Sequence, residues 1–96
     1  MDIGKAIKML RQERSMTQVQ LAELCLMNNN SLSDLETGKT FPPKSTIERI
    51  CKAIGVPVAY ILMASIEECD FPEDKRILYR LQFEPLRKLL LSEQES

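Results

Sequence analysis

An all-α fold is predicted for this chain on three observations. Apolar residues recur at helical spacing in several segments, most of these segments begin at a residue type that caps helices, and no segment shows the sustained alternation of a half-buried strand. The 96 residues suit one compact domain with an extension, and the apolar fraction of 44% is ordinary for a globular protein. The expected architecture is five short helices followed by a C-terminal helical extension.

The first helix is predicted from Asp2 to about Glu13. One buried face is indicated by apolar residues at positions i, i+3, i+4 and i+7, namely Ile3, Ala6, Ile7 and Leu10.

The second helix begins after Thr17. Thr17 and Gln20 have the spacing of a capping box, and Met16 and Leu21 have that of the hydrophobic staple across the same cap. The apolar face predicted for this helix consists of Leu21, Ala22, Leu24 and Cys25.

The third helix begins at Asn28, a strong N-cap residue, and Gly38 supplies a left-handed stop after Glu36. Met27 and Leu32 repeat the staple spacing, and Leu32 and Leu35 are expected to point inward. The outward face is then short and polar, without Lys or Arg: Asn29, Asn30, Ser31, Ser33 and Asp34. Such side chains can form hydrogen bonds to base edges in a DNA major groove.

A loop over residues 40–44 follows, because two consecutive prolines exclude a helix there. Ser45 and Glu48 have capping-box spacing and predict the start of the fourth helix. Its apolar stripe is Ile47, Ile50, Cys51 and Ile54, and Gly55 ends it. A short fifth helix is expected from Pro57 to Leu62.

The tail is divided into a linker at residues 65–71 and a helical extension at residues 72–92, after a domain at residues 1–64. Pro72 marks the helix start, and Pro85 is expected to divide the extension into two shorter helices. Apolar side chains at helical spacing form a candidate dimerisation face: Ile77, Leu78, Leu81, Leu86, Leu89 and Leu90. Folding back onto the first domain is the alternative role for this tail.

Charge and composition limit the function classes. Residues 1–64 carry eight Lys and Arg against six Asp and Glu, a net charge of +2, whereas residues 65–96 carry five against eight, a net charge of −3. A mildly basic domain with an acidic tail is compatible with DNA binding through modest phosphate attraction. There is no His, and the three cysteines are widely spaced, so neither a zinc site, a cofactor nor an enzyme is expected.

No apolar run approaches the roughly 18 residues that a membrane span requires, and the N-terminus lacks a signal-peptide core. A cytoplasmic protein without membrane partners is expected.

A family resemblance appears between residues 17 and 39. The pattern Thr-Gln-x-x-Leu-Ala-Glu, about nine residues, then Leu-x-x-Leu-Glu-x-Gly-Lys resembles the lambda-repressor-like helix-turn-helix family of Cro and phage repressors. The similarity extends from about Ile3 to Leu62. Leu26 departs from the pattern, because the family often has Gly at this turn, and a non-Gly residue in a left-handed conformation costs roughly 1–2 kcal/mol.

The resemblance implies a sequence-specific transcriptional regulator, a repressor acting as a homodimer on double-stranded DNA, with the helix at residues 28–37 in the major groove. It implies base contacts for Asn29, Asn30 and Asp34 and a backbone contact for Gln18. The full predicted set of DNA contacts is Gln18, Asn28, Asn29, Asn30, Ser31, Ser33, Asp34, Lys39, Thr40 and Lys44. For Asp34 the alternative is repulsion that disfavours wrong DNA sequences, and for Ser31 and Ser33 both phosphate and base remain open as the contact. For the other residues, an exposed polar residue without a contact is the alternative.

Two further expectations concern contacts within and between proteins. The resemblance implies a structural ion pair between Arg11 and Glu36. The acidic, leucine-rich tail leaves open a second function, an antitoxin-like or regulatory module whose main partner is another protein bound through this tail.

Overall fold

A computed structural model describes the backbone of residues 1–92 and the side chains of residues 1–89. All regular structure in this part of the chain is helical. Five helices make up the N-terminal region: α1 (Ile3–Glu13), α2 (Gln18–Leu24), α3 (Asn29–Glu36), α4 (Lys44–Ile54) and α5 (Val58–Ser65). The all-α fold class with a helical extension is confirmed.

The tail begins with two single 3-10 turns at Glu68–Asp70 and Glu73–Lys75. A continuous helical run follows, in which α6 (Arg76–Leu78) and α7 (Glu84–Ser92) are joined by a π-helical turn at Tyr79–Phe83. The prediction of two separate helices was therefore wrong. Pro85 has no N–H to donate to a preceding carbonyl, and a wider turn just before it lets the hydrogen-bond ladder adapt without a break.

The core lies within the first five helices. Its fully buried side chains include Ile7, Leu10, Leu21, Leu32, Ile50 and Ile61. Leu24 was predicted to join this core, but 58% of it is exposed. At about 100° per residue, Cys25 and Ala22 extend the buried arc on one side of Leu21, whereas Leu24 lies about 60° away on the other side.

The helix starts confirm two of the predicted caps. Thr17 and Gln20 form a complete capping box on α2, and the Asn28 side chain accepts a hydrogen bond from the Ser31 N–H at 2.7 Å. The capping box predicted at Ser45 was wrong. Helix α4 begins two residues earlier than that box implies, with Pro43 as its N-cap, and the Pro43 carbonyl accepts from the N–H groups of Thr46 and Ile47.

The tail folds back on the N-terminal region, where α7 contacts α5, the Met1 ammonium pairs with Asp70, and Tyr79 is buried. The Tyr79 side chain is 7% exposed and stands in contact with the rings of Phe71 and Phe83, with centroid separations of 5.4 and 5.8 Å. We call Phe71, Tyr79 and Phe83 the aromatic cluster. It fixes one side of the extension, so the opposite side faces outward.

Candidate nucleic-acid interface

Helix α3 exposes its polar side because its apolar residues are packed in the core. Leu32 and Leu35 are buried, as predicted. The side chains at its N-terminal end are all exposed, and those of the next turn are half-buried. The exposed residues are Asn28, Asn29, Asn30 and Ser31, and the half-buried ones are Ser33 and Asp34. Amide and hydroxyl groups without basic residues therefore form the leading end of this helix.

The turn before α3 is a Schellman motif, in which backbone N–H groups satisfy the last carbonyls of α2. The Leu26 N–H donates to the Glu23 carbonyl at 3.2 Å, and the Met27 N–H donates to the Ala22 carbonyl at 3.0 Å. Leu26 occupies the left-handed position with φ of 56°, and its side chain is 86% exposed. The turn therefore keeps its geometry although it lacks the favoured glycine.

A buried network joins the first three helices. Arg11 donates to Glu36 through Nε at 2.7 Å and through Nη2 at 3.0 Å, and its Nη1 donates to the Met16 carbonyl at 2.8 Å. The Gln18 amide nitrogen also donates to Glu36, at 3.0 Å. The implied ion pair of Arg11 and Glu36 is confirmed. Because α1, α2 and α3 share one carboxylate, α3 is held at a fixed angle to α2.

Gln18 has a second role that the sequence did not reveal. One of its two amide N–H groups is occupied by Glu36, which leaves the other for an external acceptor. The network therefore orients the side chain that was predicted to contact phosphate.

The segment after α3 brings further predicted residues to the same side of the molecule. The Asp34 carbonyl accepts from the backbone N–H groups of Lys39 and Thr40 at 2.9 and 3.3 Å, which turns the chain back beside α3. Lys39, Thr40 and Lys44 are exposed, and Lys44 is the first residue of α4. A groove of about 340 Å³ is lined by Ser31, Asp34 and Thr40 together with Phe41 and Arg49, among others.

Comparison with known proteins identifies the family. A family model described as a helix-turn-helix domain matches residues 2–60, more than half of the chain. The chain belongs to the helix-turn-helix family. This confirms the resemblance to the lambda-repressor type that residues 17–39 predicted.

This helix-turn-helix protein is similar in sequence to three proteins of the following descriptions. It is 35% identical over 88 residues to an immunity repressor protein of Bacillus phage phi105, covering 85% of this chain and 61% of that protein. It is 33% identical over 63 residues to a competence pilus inhibition repressor of Acinetobacter baylyi, covering 66% of this chain and 57% of that protein. It is 31% identical over 65 residues to an ImmF control region 10 kDa protein of Bacillus phage phi105, covering 68% of this chain and 72% of that protein.

The extent of these alignments bears on the tail. The chain spans about three fifths of the length of the two repressors. Because the alignment with the phage immunity repressor covers 85% of this chain, it continues past residue 64 into the tail.

The residues predicted for dimerisation lie on the outward side of the extension. We call Ile77, Leu78, Leu81, Leu86 and Leu89 the tail stripe. Their exposed fractions are 59%, 40%, 69%, 46% and 56% respectively. Leu90, the sixth predicted residue, has a side chain outside the described residues. Five of the twelve exposed large apolar side chains in the described part of the molecule belong to the tail stripe.

The cysteines divide as expected from their positions. Cys25 and Cys51 are buried, and burial raises the pKa of both thiols. Cys69 is exposed in the first 3-10 turn of the tail. In the described residues, no group of three or more His, Cys, Asp and Glu side chains is arranged to hold a metal ion. No helix within this range is long and apolar enough to span a membrane.

Three residues near α3 were missed at the sequence level. Phe41 is 74% exposed beside the groove, and Arg49 contacts the turn between α2 and α3. Gly4 allows α1 to approach α3, because an added Cβ would lie 2.0 Å from the Leu35 carbonyl oxygen. None of the three lies in a motif, and only the packing of distant segments gives each of them a role.

Proposed function

We propose that this protein is a sequence-specific DNA-binding transcriptional repressor that acts as a homodimer, with α3 in the major groove. Two of the relatives named above are repressors, and the family match covers the five-helix region. The observation that carries the proposal is the polar N-terminal end of α3, exposed at the edge of a rigid three-helix unit. Short amides and hydroxyls at this end suit the hydrogen-bond pattern of base edges.

Base readout is assigned to Asn29 and Asn30, since an Asn amide can pair with adenine N6 and N7. Asn30→Ala should lose about 1–3 kcal/mol on the preferred site and much less on unrelated DNA. Electrophoretic mobility shifts on both DNAs measure this difference. Gln82→Ala, an exposed amide in the tail, is the matched control. Equal losses on both DNAs would mean that Asn30 does not read bases.

Phosphate contacts are assigned to Lys39 and Lys44, with Thr40 and Gln18 in supporting positions. Lys39→Ala and Lys44→Ala should each weaken binding to all sequences and lower the slope of log affinity against log salt by about one unit. Lys75→Ala removes the same charge from the tail and should leave the slope unchanged. An unaltered slope in the loop variants would contradict the assignment.

Dimerisation is assigned to the tail stripe. The aromatic cluster already occupies the inner side of the extension, so pairing with a second copy does not require the tail to detach. The outer side offers leucines whose burial is worth roughly 1.5–3 kcal/mol each. A two-fold pairing of the tail stripe with its copy is self-complementary.

The dimer is tested by mass in solution at tens of micromolar. Leu81→Lys should convert a dimer into a monomer without disturbing Tyr79. Leu24→Lys is the matched control, because Leu24 is similarly exposed but lies on α2. Deletion of residues 72–96 should also give a monomer. A monomeric full chain, or a truncated chain that remains dimeric, would refute the assignment.

A protein-interaction module is the second candidate, because the tail stripe and the net charge of −3 in residues 65–96 would also suit a different protein partner. Selection of bound sequences from random double-stranded DNA separates the two functions. A repressor should enrich one sequence with two half-sites and elute from heparin steeply with salt. No enrichment at low salt would favour the interaction module.

A further inference from the structure

Arg49 reaches from α4 to the turn between α2 and α3. Its Nη1 donates to the Cys25 carbonyl at 2.9 Å, and its Nη2 donates to the Thr46 hydroxyl at 3.3 Å. Cys25 is the C-cap of α2, and Leu26 and Met27 close the Schellman motif immediately after it. Arg49 thus links α4 to the turn that sets the direction of α3.

The turn has two features that make such a contact useful. Leu26 adopts a left-handed conformation that L residues with a Cβ disfavour, and its side chain is too exposed to gain from packing. The Schellman bonds satisfy the carbonyls of Ala22 and Glu23 but not that of Cys25. An external donor therefore stabilises the terminal carbonyl at the place where the backbone is strained.

The alternative role of Arg49 is a direct phosphate contact, since it lines the groove beside Ser31 and Asp34. Both of its Nη atoms, however, already donate within the protein. These two bonds hold the guanidinium against the turn but leave three of its five N–H groups, so the salt slope of DNA binding is what separates the two roles.

We propose that Arg49 is a positioning residue for DNA recognition: it holds the strained turn at Leu26 and thereby fixes the angle at which α3 enters the groove. The DNA part of this inference rests on the proposed function. The structural part is independent of it, because the contact with Cys25 exists in the free protein.

The first test uses amide hydrogen exchange of the free protein. Arg49→Ala should speed exchange of the Leu26 and Met27 amides by about fivefold, the change expected for loss of one net hydrogen bond. The amides of Gly38 and Lys39, which close the same motif after α3, should exchange as before. Lys52→Ala, a charge removal on the same helix, should change neither pair. Equal acceleration of both pairs would indicate general destabilisation and overturn the proposal.

The second test asks whether Arg49 stabilises the turn against the left-handed strain at Leu26. In a Leu26→Gly background the left-handed conformation costs little, so Arg49→Ala should accelerate exchange of residue 27 less than half as much as in the unaltered chain. An undiminished effect would show that Arg49 does not act on the strained turn.

The third test uses the DNA site obtained by selection, at a temperature where every variant is fully folded by circular dichroism. Arg49→Ala should lower affinity for that site by about fivefold or more, with little change on unrelated DNA and an unchanged salt slope. A slope lower by about 0.9 would make Arg49 a phosphate contact and overturn the positioning role. If the unaltered chain selects no sequence, the proposed function fails, whereas the exchange tests still decide the role of Arg49.

Discussion

The five-helix region and the tail differ in how their helices end and in how many of their side chains are buried. In the first region, α1, α2 and α3 each end in a backbone-closed Schellman turn, and their apolar faces meet in one core. In residues 66–89, Tyr79 is the one buried side chain, and the helical run contains a π turn. The contrast teaches that one chain can fix the orientation of one surface through a packed core while leaving apolar side chains exposed on another, the tail stripe.

The largest expected effect concerns the buried ion pair of the first region. Glu36→Ala should reduce the free energy of unfolding by about 3–5 kcal/mol, because Arg11 would remain buried without its partner. Urea unfolding followed by circular dichroism measures this loss. Glu68→Ala is the control in the tail, where the exposed ion pair of Glu68 with Arg80 should contribute little. If Glu36→Ala and Glu68→Ala lose similar amounts of unfolding free energy, the buried and the exposed ion pair do not differ in stability.

The second prediction concerns the aromatic cluster. Tyr79→Ala should cost roughly 1.5–3 kcal/mol of tail packing, the value of burying one large apolar side chain. Limited proteolysis should then cut the tail faster, while the five-helix region stays intact. Gln82→Ala, which truncates an exposed tail residue outside the tail stripe, should leave the cutting rate unchanged. Unchanged proteolysis of the Tyr79 variant would mean that other contacts hold the tail in place.

The third prediction concerns the close approach of α1 to α3. Gly4→Ala should cost about 1–3 kcal/mol, because the added Cβ meets the Leu35 backbone and forces the helices apart. Thermal unfolding detects this change. Lys5→Ala, at the exposed neighbouring position of the same helix, should be nearly neutral. If the Gly4→Ala variant is as stable as the unaltered chain, the contact between α1 and α3 tolerates the added methyl group.

The fourth prediction is a gain in stability. Leu26→Gly should raise the free energy of unfolding by about 0.5–1 kcal/mol, since relief of left-handed strain exceeds the added entropy of the unfolded chain. Leu24→Gly, an exposed position in the last turn of α2, should instead lose up to about 1 kcal/mol. Denaturant titration of both variants should therefore give shifts of opposite sign. Shifts of the same sign would argue against strain at Leu26.

The smallest expected effect is a pH dependence of the tail and of its contact with the N-terminus. The hydrogen bond from Arg80 lowers the pKa of Glu68, and the N-terminal ammonium lowers that of Asp70. Because both folded pKa values lie below the unfolded ones, their stabilisation is complete above the unfolded pKa and is lost as pH falls through the lowered folded value. Amide NMR shifts near Phe71 should respond to acid before those of the core. Arg80→Gln should weaken this response, and an unchanged response would exclude the ion pair as its cause.

Local signals in the sequence determined the fold class and most of the helix boundaries. The capping box of Thr17, the Asn28 cap and the left-handed Gly38 act over a few residues, so their outcome does not depend on distant contacts. The same holds for the polar outer side of α3, because Leu32 and Leu35 fix which side is buried. The Ser45 cap failed because α4 already begins at Lys44, after the extended Pro43, so Ser45 lies inside the helix.

Only the tertiary structure decided which residues from different segments contact each other and which side chains stay exposed. Leu24 and Leu21 look alike in the sequence, but the packing of α2 leaves one exposed and buries the other. Arg49 and Cys25 are 24 residues apart, and Gly4 and Leu35 belong to different helices, so no local pattern predicts their contacts. The tail stripe becomes a separate surface only because Tyr79 packs inward. Local propensity determines the helices, whereas long-range packing determines which of their faces remain free to bind.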